Sequence, residues 1–223
     1  MSIRAAVTLA FALAASAAAA RVEHAAHASA PAPSAEATLK ELKNGNARFV
    51  KGQLRTPHVK PARRAETATS QHPQAVILGC SDSRVPPEYI FDQGVGDLFV
   101  VRVAGNVSEP ATLGSIEYAA EHLGAPLVVV LGHHGCGAVK ATVEGASTEG
   151  NVGTIVKEIQ PAVAAVQKAG PEGKVNDVVH VHAHRVAAEL LQESPVLTKL
   201  TGEGKVKIVV GIYDLATGKV EFE

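Results

Sequence analysis

Short aliphatic, β-branched runs at residues 75–79, 98–103, 127–131 and 206–212 constrain this chain more than any other feature. Each is too short for an ordinary helix and apolar throughout rather than alternating, the pattern of a strand covered on both faces. Between and around them lie segments with helical spacing, at 111–123, 138–144, 152–169 and 177–192; Pro161 is expected to bend or split the third. Strands alternating with helices imply an α/β fold, with a central, mostly parallel β-sheet flanked by helices. The run 220–222 follows an Ala216-Thr217-Gly218-Lys219 turn and is expected to add an antiparallel C-terminal edge strand. Upstream, Leu39, Leu42 and Phe49 among charged residues predict an N-terminal helical arm over 37–50, broken or capped near Asn44-Gly45-Asn46.

With 223 residues the chain is long enough for one domain that needs no disulfide to hold its core. Acidic and basic residues nearly cancel, to a formal charge of −1, and no basic run occurs, which argues against a nucleic-acid partner. Tryptophan is absent and aromatics make up only 4%, so a pocket for a large ring ligand is not expected and a very small substrate is. The first twenty residues have the organisation of a signal peptide: Arg4, an apolar run over 5–13, and a small-residue ending at Ala18-Ala19-Ala20. That run is short and alanine-rich for a membrane span. The expected organisation is therefore a signal peptide at 1–20, a flexible Ala/Pro/Ser linker at 21–36 and a folded domain at 37–223, in a periplasmic or secreted protein with no membrane contact after cleavage.

The only two cysteines each follow an apolar run, in Cys80-Ser81-Asp82-Ser83-Arg84 and in His133-His134-Gly135-Cys136. Two thiolates and the imidazole of His133 make a three-ligand zinc set, which leaves a fourth position for water or a nearby carboxylate such as Asp82. In an oxidising compartment two cysteines often form a plain disulfide, and an exported, disulfide-bonded binding protein is the non-enzymatic reading. A disulfide, however, needs neither an Asp and an Arg shortly after one cysteine nor a His three residues before the other. His134, next to the ligand, reads as an exposed bystander, and His180, His182 and His184 receive no function, although His180 and His184 share a helix face.

Cys-Ser-Asp-Ser-Arg, followed about fifty residues later by His-x-x-Cys-Gly, resembles the zinc site of the β-class carbonic anhydrases. The resemblance runs from about Leu39 to the C-terminus and includes the stretch from Phe91-Asp92-Gln93-Gly94-Val95-Gly96-Asp97 through Arg102-Val103-Ala104-Gly105-Asn106. It implies one zinc ion per subunit held by Cys80, His133 and Cys136, and interconversion of carbon dioxide and bicarbonate by zinc-bound hydroxide. It further implies that Asp82 accepts a hydrogen bond from that hydroxide while Arg84 pairs with Asp82, and that Gln71 and Phe99 contact substrate. Relatives that hydrolyse carbon disulfide or carbonyl sulfide with the same ligands are the enzymatic alternative. The N-terminal helix resembles the family's dimer arm, so a homodimer or a higher multiple is implied. In one branch an anion favours a closed form in which the aspartate leaves its arginine for zinc. The tryptophan that helps bind that anion is Ile77 here, so Asp82 is expected on zinc only in a closed form, and the open form is the expected one.

Overall fold

The computed structural model describes residues 33–170 and 174–223, and its centre is a pair of parallel strands without a solvent-facing side. Strands β1 (Ala75–Gly79) and β3 (Leu127–His133) are buried at every residue. Around them the sheet continues with β2 (Leu98–Arg102), β4 (Lys207–Tyr213) and β5 (Val220–Phe222), in the order β2-β1-β3-β4-β5. All neighbours are parallel except β4 and β5, which form the antiparallel edge expected from the turn between them. Asp214 shapes that turn, accepting from the amides of Ala216 and Thr217.

Because side chains alternate along a strand, the apolar runs supply two cores at once. Val76, Leu78, Val128 and Val130 face one layer, where they meet helices α4 (Pro110–Glu121), α5 (Gly137–Val143), α6 (Gly150–Ala169), α7 (Val175–Glu193) and α8 (Pro195–Gly202). Ala75, Ile77, Leu127, Val129 and Leu131 face the other layer, covered by Leu42 of α1 (Ala35–Val50) and Ile90 of the one-turn α3 (Pro87–Ile90), with Phe91 beside them. A further short helix, α2 (Pro61–Glu66), precedes β1. The edge strand β2 departs from the expected double burial: its first four residues are half-buried and Arg102 is exposed. Pro161 does not split α6, which runs unbroken from Gly150 to Ala169. The expected signal peptide and residues 21–32 of the linker lie outside the described residues. At the linker's far end, Ser34 caps α1 by accepting from the Ala37 amide, so the helix starts two residues before the expected domain boundary.

The expected break at Asn44-Gly45-Asn46 does not occur, and α1 passes through it as continuous helix. Gly45 is there for close approach: a Cβ at this position would lie 1.8 Å from the carbonyl oxygen of Phe91. Asn46 is buried, and its amide ties three segments together by donating to the carbonyls of Ile90 and Gly218 and accepting from the Val220 amide. Turn-forming residue types thus serve helix-to-sheet packing instead of ending a helix. Helix propensity alone favours alanine over glycine by about 1 kcal/mol. Gly45→Ala should nevertheless destabilise the protein by about 1–3 kcal/mol, because the clash is with backbone and cannot be relieved by a rotamer change. A lowered urea midpoint checks this; a raised midpoint would mean that propensity prevails.

Candidate metal centre

The chain passes from β1 to β2 on one side and then back across to β3 on the other, so the sheet reverses direction of growth at β1. At such a switch point, loops leaving the carboxyl ends of adjacent strands diverge and open a crevice. Both cysteine segments start there. The register pairs Gly79 with Leu131, so Cys80, just past β1, falls level with Gly132 and one step short of His133, the last residue of β3. The chain then turns through Gly135, at a φ of 63°, and delivers Cys136 to the start of α5.

The donor atoms of Cys80, His133 and Cys136 lie within 4.8 Å of one another, and all three residues are buried. Both cysteines are free thiols. His133 Nδ1 lies 3.0 Å from the carbonyl oxygen of His134. A carbonyl only accepts, so Nδ1 carries the hydrogen and Nε2 presents its lone pair toward the sulfurs. That Nε2 is buried and has no hydrogen-bond partner. A buried acceptor left bare is costly unless something electrophilic meets it. Cys₂His is moreover a donor set that suits tetrahedral zinc. The residues fit the metal.

Local electrostatics favour a thiolate at this point. The neighbouring Cys136 side chain, with His133 and the amides of Gly105 and Asp82, draws the Cys80 thiol well below its ordinary value against the opposing effect of burial. The same contact, with burial, pushes the Cys136 thiol up, while the amides of Val139 and Ala138 oppose it. Thiols bind a metal as thiolates, so a divalent cation held here would displace their protons.

Asp82 sits at the rim of this cluster. Arg84 grips its carboxylate at two points, Nε to Oδ1 at 2.9 Å and Nη2 to Oδ2 at 2.7 Å, and the Arg84 amide adds a third bond to Oδ1. These bonds, Arg84's side chain foremost, hold the carboxyl far below the usual carboxylate range. Its Oδ2 is 3.9 Å from His133 Nε2, so the carboxylate stands beside the metal position while remaining paired with Arg84, the open arrangement. Arg102, at the end of β2, donates to the carbonyls of Cys80 (3.0 Å) and Asp82 (2.6 Å) and so pins the loop that carries both.

The two expected substrate residues are not brought to this cluster within one chain. Gln71 is exposed in the segment before β1, whereas the ligands lie past its other end, and the five-residue strand alone spans roughly 15 Å. Phe99 is half-buried on β2, with its ring 6.3 Å from that of Tyr118 on α4. His134 joins a surface chain instead of standing alone: it meets Asp214 at 3.2 Å and His180 at 3.3 Å, and Glu223 bonds both His180 and His184. Sequence reasoning missed Gly105, whose amide donates to Cys80 Sγ at 3.3 Å, and His182, whose Nε2 is 2.8 Å from the Gly105 carbonyl oxygen. For His182 there was a signal: it lies four residues from both Val178 and Val186, on the apolar face of its helix, opposite the His180–His184 face.

Comparison with known proteins agrees with this geometry. A family model described as carbonic anhydrase matches residues 75–220. A carbonic anhydrase of Mycolicibacterium smegmatis is 46% identical over 83% of this chain and 91% of its own length. Among solved structures, the β-carbonic anhydrase CcaA superposes with a TM-score of 0.67 at 25% identity, over 82% of this chain and 86% of that one. One of two tetrameric β-carbonic anhydrases from the filamentous ascomycete Sordaria macrospora does so with a TM-score of 0.65 at 23% identity, over 83% of this chain and 96% of that one. With this much of its length matched, and with two free thiols and one bare imidazole nitrogen converging beyond the carboxyl ends of β1 and β3, the chain belongs to the β-class carbonic anhydrases, carbonate dehydratases whose cofactor is zinc.

Proposed function

We propose that this protein hydrates carbon dioxide reversibly, CO2 + H2O to HCO3− + H+, at a zinc ion held by Cys80, His133 and Cys136, with Asp82 and Arg84 as the catalytic pair. The observation that carries this reading is the buried, partnerless His133 Nε2 facing two free thiols, with an ionised carboxylate 3.9 Å away. Zinc, when bound, lowers the pKa of a coordinated water toward neutrality and so supplies the nucleophile. The chain's own residues do the rest. His133 donates through Nδ1 to the His134 carbonyl, which fixes the ring so that Nε2 addresses the metal. Asp82, kept ionised by Arg84, accepts a hydrogen bond from the attacking water and thereby points an oxygen lone pair at the carbon of the substrate. Arg102 keeps the Cys80-to-Asp82 backbone from drifting, so ligand and acceptor move as one unit.

A substrate-binding role for Gln71 and Phe99 is compatible with their positions only across a subunit boundary, on a partner's metal centre. An oligomer built as a homodimer or a multiple of one is consistent with this, with the half-exposed edge strand β2, and with the tetrameric state of the Sordaria macrospora relative. Residues 1–20 act as a cleaved export signal that sends the enzyme to the periplasm or beyond. No helix among the described residues is long and apolar enough to cross a membrane.

Stopped-flow carbon dioxide hydration by the purified, zinc-analysed protein is the direct test; turnover of carbon disulfide with none of carbon dioxide would overturn the substrate. Cys80→Ser, His133→Ala and Cys136→Ser should each lose most of the bound zinc, because two remaining protein ligands compete poorly with water. Stoichiometric zinc retained in any of them would remove that residue from the ligand set. Asp82→Asn should keep its zinc but lose activity on the order of 10²-fold, the cost of a misaligned nucleophile; wild-type turnover there would refute the acceptor role. Native mass spectrometry of the protein from an exporting host should give a dimer or a multiple of one, with subunits beginning near Arg21. A monomer, or subunits beginning at Met1, would contradict the assembly or the cleavage respectively.

A further inference from the structure

We infer that His182 is a positioning residue for the Cys80 thiolate, acting through the two polar groups of Gly105. The inference rests on the reading of Cys80 as a zinc ligand. The contacts run in series: His182 Nε2 lies 2.8 Å from the Gly105 carbonyl oxygen, and the Gly105 amide donates to Cys80 Sγ at 3.3 Å. Because a carbonyl only accepts, Nε2 carries the hydrogen of this imidazole. Burial holds the ring neutral, with a pKa lowered to about 4, so the donor is constant across the physiological range.

Backbone conformation favours a glycine at position 105, where φ is 72°, and crowding adds to this, since a Cβ would come within 2.8 Å of Ile159 Cδ1 and 3.3 Å of Ala138 Cβ. Glycine is also the residue with the least intrinsic preference for one backbone geometry. The turn is held from within by the Asn106 amide on the Val103 carbonyl at 3.0 Å, and His182, reaching over from α7, adds the outside contact that holds the Gly105 carbonyl in place. The arrangement has a cost, since His182 Nδ1 is buried without a partner. An apolar side chain in this place, among Val178, Val179, Ala183 and Val186, would avoid that cost. What the histidine supplies in exchange is the bond to Gly105. An N–H donated to a coordinating thiolate withdraws charge from it. In a site with two thiolates, that withdrawal offsets part of the negative charge they bring to the metal.

The test uses the full chain loaded with cobalt(II) in place of zinc, comparing wild type with His182→Leu and His182→Gln. The readouts are the sulfur-to-cobalt charge-transfer band and the rate at which a chelator removes the metal. His182→Leu should move the band to longer wavelength, as the sulfur lone pairs rise in energy without the hydrogen bond, and should release metal about 10-fold faster. His182→Gln, whose side-chain amide can donate to the same carbonyl, should return both toward wild type. A purely structural histidine would lower stability and leave the band where it is, so an unshifted band in folded, cobalt-loaded His182→Leu overturns the inference. If that variant does not fold, nitrogen NMR of the wild-type zinc protein decides. A neutral Nε2–H tautomer at pH 7 supports the inference, and an Nδ1–H tautomer overturns it. Absence of any thiolate band in wild type would instead strike at Cys80 and Cys136 as ligands, a separate failure that takes this inference down with it.

Discussion

The parallel pairing of β1 with β3 is the constraint on which everything else depends. Val76 pairs with Val128 and Gly79 with Leu131, and every residue of both strands is buried, so the register is held by two hydrophobic layers rather than one. A slip of one residue would exchange the two faces of a strand and shift its end by about 3.3 Å. Cys80 would then fall out of reach of His133. Sheet pairing closes the long loop between these ligands, so the entropy of bringing them together is met by apolar burial. The three donors thus sit at and just beyond the ends of strands whose pairing apolar burial has fixed, so the sheet does much of the work of assembling the ligand set.

That division explains which features could be read in the sequence. The strands were legible because double burial leaves unbroken aliphatic runs, and the ligands were legible because an Asp and an Arg follow one cysteine and a His precedes the other, within segments that resemble a known family. Residues whose role comes from the approach of distant segments were not. Gly45 and Asn46 carry the local signature of a helix end, yet Phe91, Ile90, Gly218 and Val220 come to them from elsewhere in the chain and turn that signature into a packing device. Half-burial of β2 was hidden for a related reason: an edge strand in an α/β sheet can be as aliphatic as a central one, and only the strand order shows which is which. Gln71 and Phe99 were transferred by resemblance, and a single chain holds them away from the cluster their roles require.

Charge around the cluster is arranged in layers that the sequence does not display. Two thiolates and a carboxylate would concentrate negative charge at one point. Opposing it are the Gly105 amide at Cys80, the first amides of α5 at Cys136, and two arginines that act on different atoms. Arg102 takes the backbone carbonyls of Cys80 and Asp82, whereas Arg84 takes only the Asp82 side chain. One arginine therefore governs where the loop lies and the other governs what the carboxylate is free to do.

The Asp82–Arg84 pair makes little sense as a device for stability. Arg84's side chain is 59% exposed, and an ion pair so open to water contributes little to folding even with good geometry. Its value lies in what the carboxylate would otherwise do. An ionised oxygen 3.9 Å from a metal-facing imidazole nitrogen needs only a small rotation to become a fourth ligand, and a site closed by four protein ligands has no position left for water. By gripping both oxygens, Arg84 makes that rotation cost two charge-assisted hydrogen bonds, which is what the proposed function asks of the pair: a carboxylate close enough to orient a water and held back from replacing it.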